Sequence, residues 1–213
     1  MRKSKIFLGV ALLATSVFTA CKPNEPSGND NTPEKIGVKI NGVVWSPYNV
    51  GTTGTFVAKA EDYGGLYQWN RKDTANFLIE DGYYASDYPI TTSWLSANDP
   101  SPAGWRVPTC DELRSLFETE KVEYEWTTKN GINGGHFTDK ATGKNIFLPA
   151  AGGLSGKGLL FYVGEYGNYW SSTSYKSTEV PSAYILVLTS DYASAGSFYN
   201  GCVTGFSVRP VAK

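Results

Sequence analysis

Side chains suited to covalent or acid–base chemistry are few in this 213-residue chain, which has one histidine and three cysteines. His136 stands between Gly135 and Phe137 in a stretch of turn-forming residues. Any Ser/His/Asp or Cys/His arrangement would have to use it, and a lone loop histidine is more simply a solvated polar group. The run Gly152-Gly153-Leu154-Ser155-Gly156-Lys157-Gly158 carries the Gly-Lys pair of a phosphate-binding loop. Ala151 occupies the first glycine position and Gly158 the Ser/Thr position, so the run reads as a hairpin loop. No two His or Cys residues lie at zinc spacing. Oxygen donors are more plentiful. Glu80-Asp81, Asn98-Asp99 and Asp191 fall in predicted loops, where they suit calcium by ligand type and equally suit ordinary turns. No organic cofactor is expected, and calcium is the one metal these donors suggest.

The aromatic surplus says more. Tyr162, Tyr166, Tyr169, Trp170, Tyr175, Tyr192, Phe198 and Tyr199 crowd the last third of the chain. Strand alternation should bury Trp170 and roughly half of the tyrosines. Tyr166, Tyr192 and Tyr199 stand among Gly, Asn and Ser, with Asn168 and Asn200 beside them. An exposed phenol can stack on a sugar ring, and an amide pairs donor and acceptor with adjacent hydroxyls. Tyr166, Asn168, Tyr192, Tyr199 and Asn200 are therefore the candidate ligand-binding set, on loops around 164–168 and 191–201. Turn-capping aromatics without a ligand are the competing reading.

The elements that must position these loops are mostly strands. Around the one clear helix, Trp105 and Val107 share a face of an extended segment, and Pro108 keeps Val107 out of helical backbone. Thr109 and Glu112 form a capping box, and Leu113, Leu116 and Phe117 make one apolar stripe. Asn41-Gly42 between Ile36–Ile40 and Val43–Trp45 predicts a hairpin with a type I′ turn. The stretch 130–135 reads as a wide turn before a strand over 145–150. Strands are also expected near 159–162 and 169–173. Ala183–Leu188 is continuously apolar, as a central strand should be. Gly205–Val211 closes the chain as a strand. Residues 70–103 read as a long ordered loop region.

The start of the chain gives an address. Arg2, Lys3 and Lys5 precede an apolar run from Ile6 to Ala20 that is too short to span a bilayer. Val17-Phe18-Thr19-Ala20-Cys21 looks like a lipobox, so residues 1–20 are expected to be a signal peptide and Cys21 the lipidation site. Residues 21–35 then form the lipidated cysteine and a flexible tether without an aliphatic or aromatic side chain beyond Cys21. Glu25 and Asp30 are a weak form of the acidic export signal of Bacteroidetes-type bacteria. The expected location is the cell envelope, at the outer membrane, with the lipid as the only membrane contact.

Removing residues 1–20 takes away three of 19 basic residues and none of 20 acidic ones, leaving 16 against 20 and a net charge of −4. That balance, without a basic run, argues against nucleic acid as a partner. Residues 36–213 suit one domain. Cys110 and Cys202 would meet an oxidising compartment, where a 110–202 disulfide and two buried free thiols are both open.

Taken in order, Tyr63-Gly64-Gly65-Leu66-Tyr67-Gln68-Trp69, Pro102–Thr109, Glu112-Leu113, Leu148–Gly152, Tyr169–Thr173 and Gly205–Val211 resemble the Fibrobacter succinogenes major paralogous domain family. The resemblance covers nearly all of 36–213. It implies a secreted or lipid-anchored surface protein with a C-type-lectin-like α+β fold: short antiparallel strands, one or two helices, and long loops. Many members carry a cysteine ahead of the Gly-Trp pair, where this chain has Ala103, so a family disulfide pattern is not carried over. The function expected is non-catalytic binding or adhesion, with a carbohydrate or surface protein as ligand. The alternatives are a structural subunit of a pilus tip or surface complex, and an enzyme resembling the formylglycine-generating enzyme. The enzyme would need a late pair of cysteines to hold copper, and only Cys202 is late.

Overall fold

In chain order the elements are α1 (Pro33–Ile36), β1 (Val38–Ile40), β2 (Val43–Trp45), β3 (Tyr67–Gln68) and β4 (Trp105–Arg106). Then come α2 (Cys110–Ser115), β5 (Val122–Lys129), β6 (Ile132–Asp139), β7 (Asn145–Pro149), β8 (Gly153–Leu154) and β9 (Leu160–Phe161). The chain finishes with β10 (Gly167–Tyr175), β11 (Ser182–Leu188), β12 (Ala193–Gly201), β13 (Gly205–Phe206) and β14 (Val211–Ala212). The computed structural model describes residues 31–73, 91–176 and 180–213. The expected signal peptide, Cys21, most of the tether and Glu80-Asp81 lie outside the described residues.

Four small sheets are ordered β1-β2-β14-β4, β5-β6-β7, β3-β13-β8-β9 and β10-β11-β12. All pairings within them are antiparallel. The fold is therefore β-rich α+β with few and short helices. The last strand lies between β2 and β4, which brings both ends of the domain into one sheet.

Several sequence signals act where they were read. Asn41 adopts φ 44° in the turn between β1 and β2. The Thr109 hydroxyl accepts from the Glu112 N–H, and the Glu112 carboxylate accepts from the Thr109 N–H at 2.8 Å. That carboxylate also takes both terminal nitrogens of Arg106, one at 2.8 Å. Burial works to raise the Glu112 carboxyl, but the Arg106 and Thr109 hydrogen bonds outweigh it and hold it below the usual carboxylate value.

The central strand β11 explains its unbroken apolar run. Leu186 and Leu188 enter one core cluster with Leu113, Leu116, Phe137, Leu148 and Tyr169. Ala183, Ile185 and Val187, pointing the other way, enter a second with Tyr67, Trp69, Trp94, Trp170 and Phe206. Both faces are covered, so no polar residue is needed on alternate positions.

Two expectations are corrected, and one pair of open readings is resolved. The stretch 130–135 is not a wide turn. Asn130-Gly131 closes a two-residue turn and 132–139 is strand β6, paired on both sides. Its Asn-Gly-Gly run imitates a loop for a packing reason: a side chain at Gly134 would come within 2.3 Å of the Leu148 carbonyl, and one at Gly135 within 2.9 Å of Leu188 and Tyr124. His136 is consequently a strand residue, opposite Glu125 and Phe147. The closing strand is broken into β13 and β14, and between them residues 207–210 are buried, with the Val208 and Pro210 carbonyls accepting from the Val50 and Ser46 N–H groups. Cys110 and Cys202, a possible disulfide by sequence, are both free and buried. Cys202 packs in the second cluster, while Cys110 sits under the left-handed Gly196 (φ 72°) of β12, where a side chain would lie 2.6 Å from its sulfur. Burial raises both thiols, Cys202 to about 12, so neither is a ready nucleophile.

The chain is also ordered earlier than a tether to residue 35 suggests. Asn31 to Lys213 form one compact unit, and the Trp105 indole N–H donates to the Asn31 carbonyl at 2.8 Å. Deeper inside, Arg209 is fully buried without a carboxylate: its Nε donates to Asn49 Oδ1 (2.9 Å), Nη1 to the Ser46 carbonyl (3.2 Å) and Nη2 to the Phe147 carbonyl (2.8 Å). Burial pulls its pKa down to about 10, which leaves it charged at neutral pH.

Candidate functional site

Two turns and a hairpin meet to form a cleft of about 380 Å³. Trp126 of β5 and Asn133 of β6 make one wall. Trp126 stands opposite Gly135 across the hairpin and lies half-buried against the first core cluster. The turn before β10 contributes Glu165 and Tyr166, and the β11–β12 turn contributes Thr189, Asp191 and Tyr192. The volume falls within the usual range for small-ligand sites.

The walls are tied to one another. The Asn133 amide donates to the Gly164 carbonyl at 3.0 Å, and its oxygen accepts from Thr128 at 2.7 Å. Thr189 Oγ1 accepts from the N–H groups of Asp191 and Tyr192 and donates to the Tyr192 carbonyl, which locks the β11–β12 turn. The Tyr124 hydroxyl reaches the Thr189 carbonyl at 3.4 Å. These groups are saturated by the protein. The Glu165 carboxylate makes no hydrogen bond or ion pair with another described residue, and the Asp191 carboxylate accepts only from the neighbouring Ser190 hydroxyl at 3.2 Å. Partial burial, then the adjacent Tyr166 hydroxyl, raise the Tyr192 phenol above its usual value.

Beyond the cleft the aromatics continue. Tyr162 lies with its ring centroid 4.6 Å from that of Tyr166, and Tyr192 lies 5.8 Å from Phe198. Tyr162 is held at φ 52°, a conformation that bulky side chains rarely adopt. Leu159, Leu160, Tyr162, Val163 and Phe198 are all exposed.

Of the five sequence-expected residues, the structure brings two together. Tyr166 and Tyr192 share the cleft, and Asp191, expected as an oxygen donor, sits between the same walls. Asn168 does not belong to the site. It is 5% exposed and its amide donates to the Gly152 carbonyl, because the first half of β10 is covered on both faces. Tyr199 and Asn200 lie toward the other end of β12. Tyr199 stacks on Tyr175 at 3.6 Å and 5°, beside Tyr184, and Asn200 accepts from Thr204. Trp126, Asn133 and Glu165 were missed. Trp126 had a legible signal, an indole alternating with Glu123 and Glu125 on an edge strand. The other two could not be read without the long-range pairing.

Asn98 and Asp99 are also placed. The Asp99 carboxylate accepts from the Ser101 and Val107 N–H groups, and Asn98 contacts Asn70, so both tie the loop ahead of β4. Among the described residues no group of three His, Cys, Asp or Glu side chains is gathered at metal-binding distance. No helix among them is long and apolar enough to cross a membrane. What fold and site define is a β-rich α+β domain with an aromatic, carboxylate-bearing cleft. No family model, curated protein or solved structure matches the chain.

Proposed function

We propose that residues 31–213 form a non-catalytic binding or adhesion domain of C-type-lectin-like architecture. A lipid on Cys21 carries it at the outer membrane of the cell envelope, and its ligand is a glycan or a surface protein. The observation that supports this reading best is the cleft itself, in which Tyr166 and Tyr192 present their rings beside polar groups that the fold leaves unused. Rings held this way give contact area at little cost in side-chain freedom, and open polar atoms give orientation.

The test is an array of glycans and envelope proteins probed with the purified mature chain and with Tyr166→Ala/Tyr192→Ala. A ligand bound by the natural chain and lost in the variant is expected. A ligand bound equally by both would move the site elsewhere, and no bound ligand would remove the reading. The anchor has its own test, since labelled palmitate should be incorporated by the natural chain and not by Cys21→Ala. A second reading, a subunit of a surface complex, draws support from exposed Leu159, Leu160 and Val163. A stoichiometric partner that co-purifies with the chain would favour it.

A further inference from the structure

The charged groups of the cleft are both carboxylates, Glu165 and Asp191, and its remaining open polar atoms are the neutral Tyr166 and Tyr192 hydroxyls and the Trp126 indole N–H. Asn133 and Thr189 are consumed in holding the walls, while the Glu165 and Asp191 carboxylates stay open. No lysine, arginine or histidine lines the cleft. The one cation of β5, Lys129, lies instead over the Phe147 ring at 5.8 Å. Two carboxylates with no facing cation are matched in both charge and hydrogen bonding by a positively charged donor, an ammonium or guanidinium. The remaining walls are the faces of Trp126, Tyr166 and Tyr192, which attract cations through their ring quadrupoles. An acidic ligand would meet like charge and no cationic partner.

The rim decides what carries that cation. Exposed, aliphatic Val163 directly precedes the lining Gly164, the exposed Tyr162 ring lies 4.6 Å from Tyr166, and the exposed Phe198 ring lies 5.8 Å from Tyr192. The Val163 and Phe198 side chains offer a sugar no hydrogen bonds, whereas apolar contact around a buried charged anchor is how protein interfaces are built. We infer that the cleft docks a protein segment presenting a basic side chain flanked by apolar residues. This rests on the cleft being a binding site, and narrows the ligand from glycan or protein to a basic, apolar-flanked peptide.

The chain carries a built-in reporter for the test. Trp45, Trp69, Trp94, Trp105 and Trp170 are buried, and Trp126 is the partly exposed one of the six tryptophans. Acrylamide quenching of intrinsic fluorescence therefore reads cleft occupancy. The probes are the capped peptide Leu-Ala-Lys-Ala-Leu, the same peptide with Nε-acetyl-lysine, and the same with glutamate replacing lysine. Glucosamine and N-acetylglucosamine form the sugar arm. The lysine peptide should protect Trp126 from quenching, and the acetylated and glutamate peptides should bind at least tenfold more weakly. Glu165→Gln/Asp191→Asn should weaken the lysine peptide at least tenfold without changing the unfolding midpoint. Equal binding of all three peptides, or an unaffected double variant, overturns the inference. Protection by either sugar without the lysine peptide overturns it too, while leaving a glycan reading of the cleft standing. No protection by any probe, with an array ligand still lost in the tyrosine variant, overturns the basic-peptide inference alone. A silent array as well removes both.

Discussion

Around Arg209 each nitrogen of a fully buried guanidinium meets a neutral oxygen, from Asn49, Ser46 or Phe147. In the cleft, the Glu165 carboxylate meets no described partner at all. Both regions contain charge that no ion pair neutralises. They differ in who completes the hydrogen bonds: the fold does so around Arg209, and the cleft leaves them to solvent or a ligand. The same contrast runs through the indoles. Trp69 and Trp170 donate to the carbonyls of Ser171 and Tyr67 inside the core, whereas Trp126 offers a face to the cleft. Polar groups in the first region should govern stability, and those in the second should govern binding.

That division can be broken by measurement, most severely at Arg209. Arg209→Met should orphan three buried acceptors and cost about 3 kcal/mol or more, read as a lower urea midpoint. A loss below about 1 kcal/mol would show that water replaces the guanidinium, and the contrast would fail. Thr109→Ala should cost about 1 kcal/mol through the lost cap. Glu112→Gln sharpens this through pH. The Glu112 carboxyl is depressed in the folded state, so its contribution is complete above the unfolded value and disappears as pH falls through the folded one. The unfolding midpoints of the natural chain and Glu112→Gln should therefore differ at neutral pH and begin to converge as pH falls below the ordinary glutamate value of about 4.3. The smallest stability effects belong to the cleft. Tyr192→Ala and Glu165→Gln should each stay within about 0.5 kcal/mol of the natural chain while weakening ligand. If either destabilises by more than that, the cleft is a structural element.

Local chemistry made part of this legible in advance. The Thr109–Glu112 box, the Asn41-Gly42 turn and the doubly buried Ala183–Leu188 run each depend on neighbours in sequence, and each formed as read. Asn168 was misjudged because β10 is covered on both faces at its start, which only the packing of distant segments creates. Gly134 and Gly135 mimicked a loop because close approach of Leu148 and Leu188 demands the same residue that a turn does. Tyr199 and Tyr192 lie on separate patches because successive side chains of a strand point to opposite faces: Phe198 packs beside Tyr192, whereas the next residue, Tyr199, stacks on Tyr175. The cleft itself joins residues from 126 to 192, so no window of sequence could display it.

The place of β14 sets the order in which this domain can be finished. Val211 pairs with Trp45 and Arg106, and Arg209 bonds to residues 160 and 163 positions earlier. The first hairpin therefore waits for the last five residues before it gains its sheet partner and its buried guanidinium. Loop closure over such separations is slow, which puts completion of the fold late and in the slower range for small domains. A chain still being synthesised cannot close prematurely around its own first half. The first hairpin gains its last sheet neighbour only once the final strand has been made.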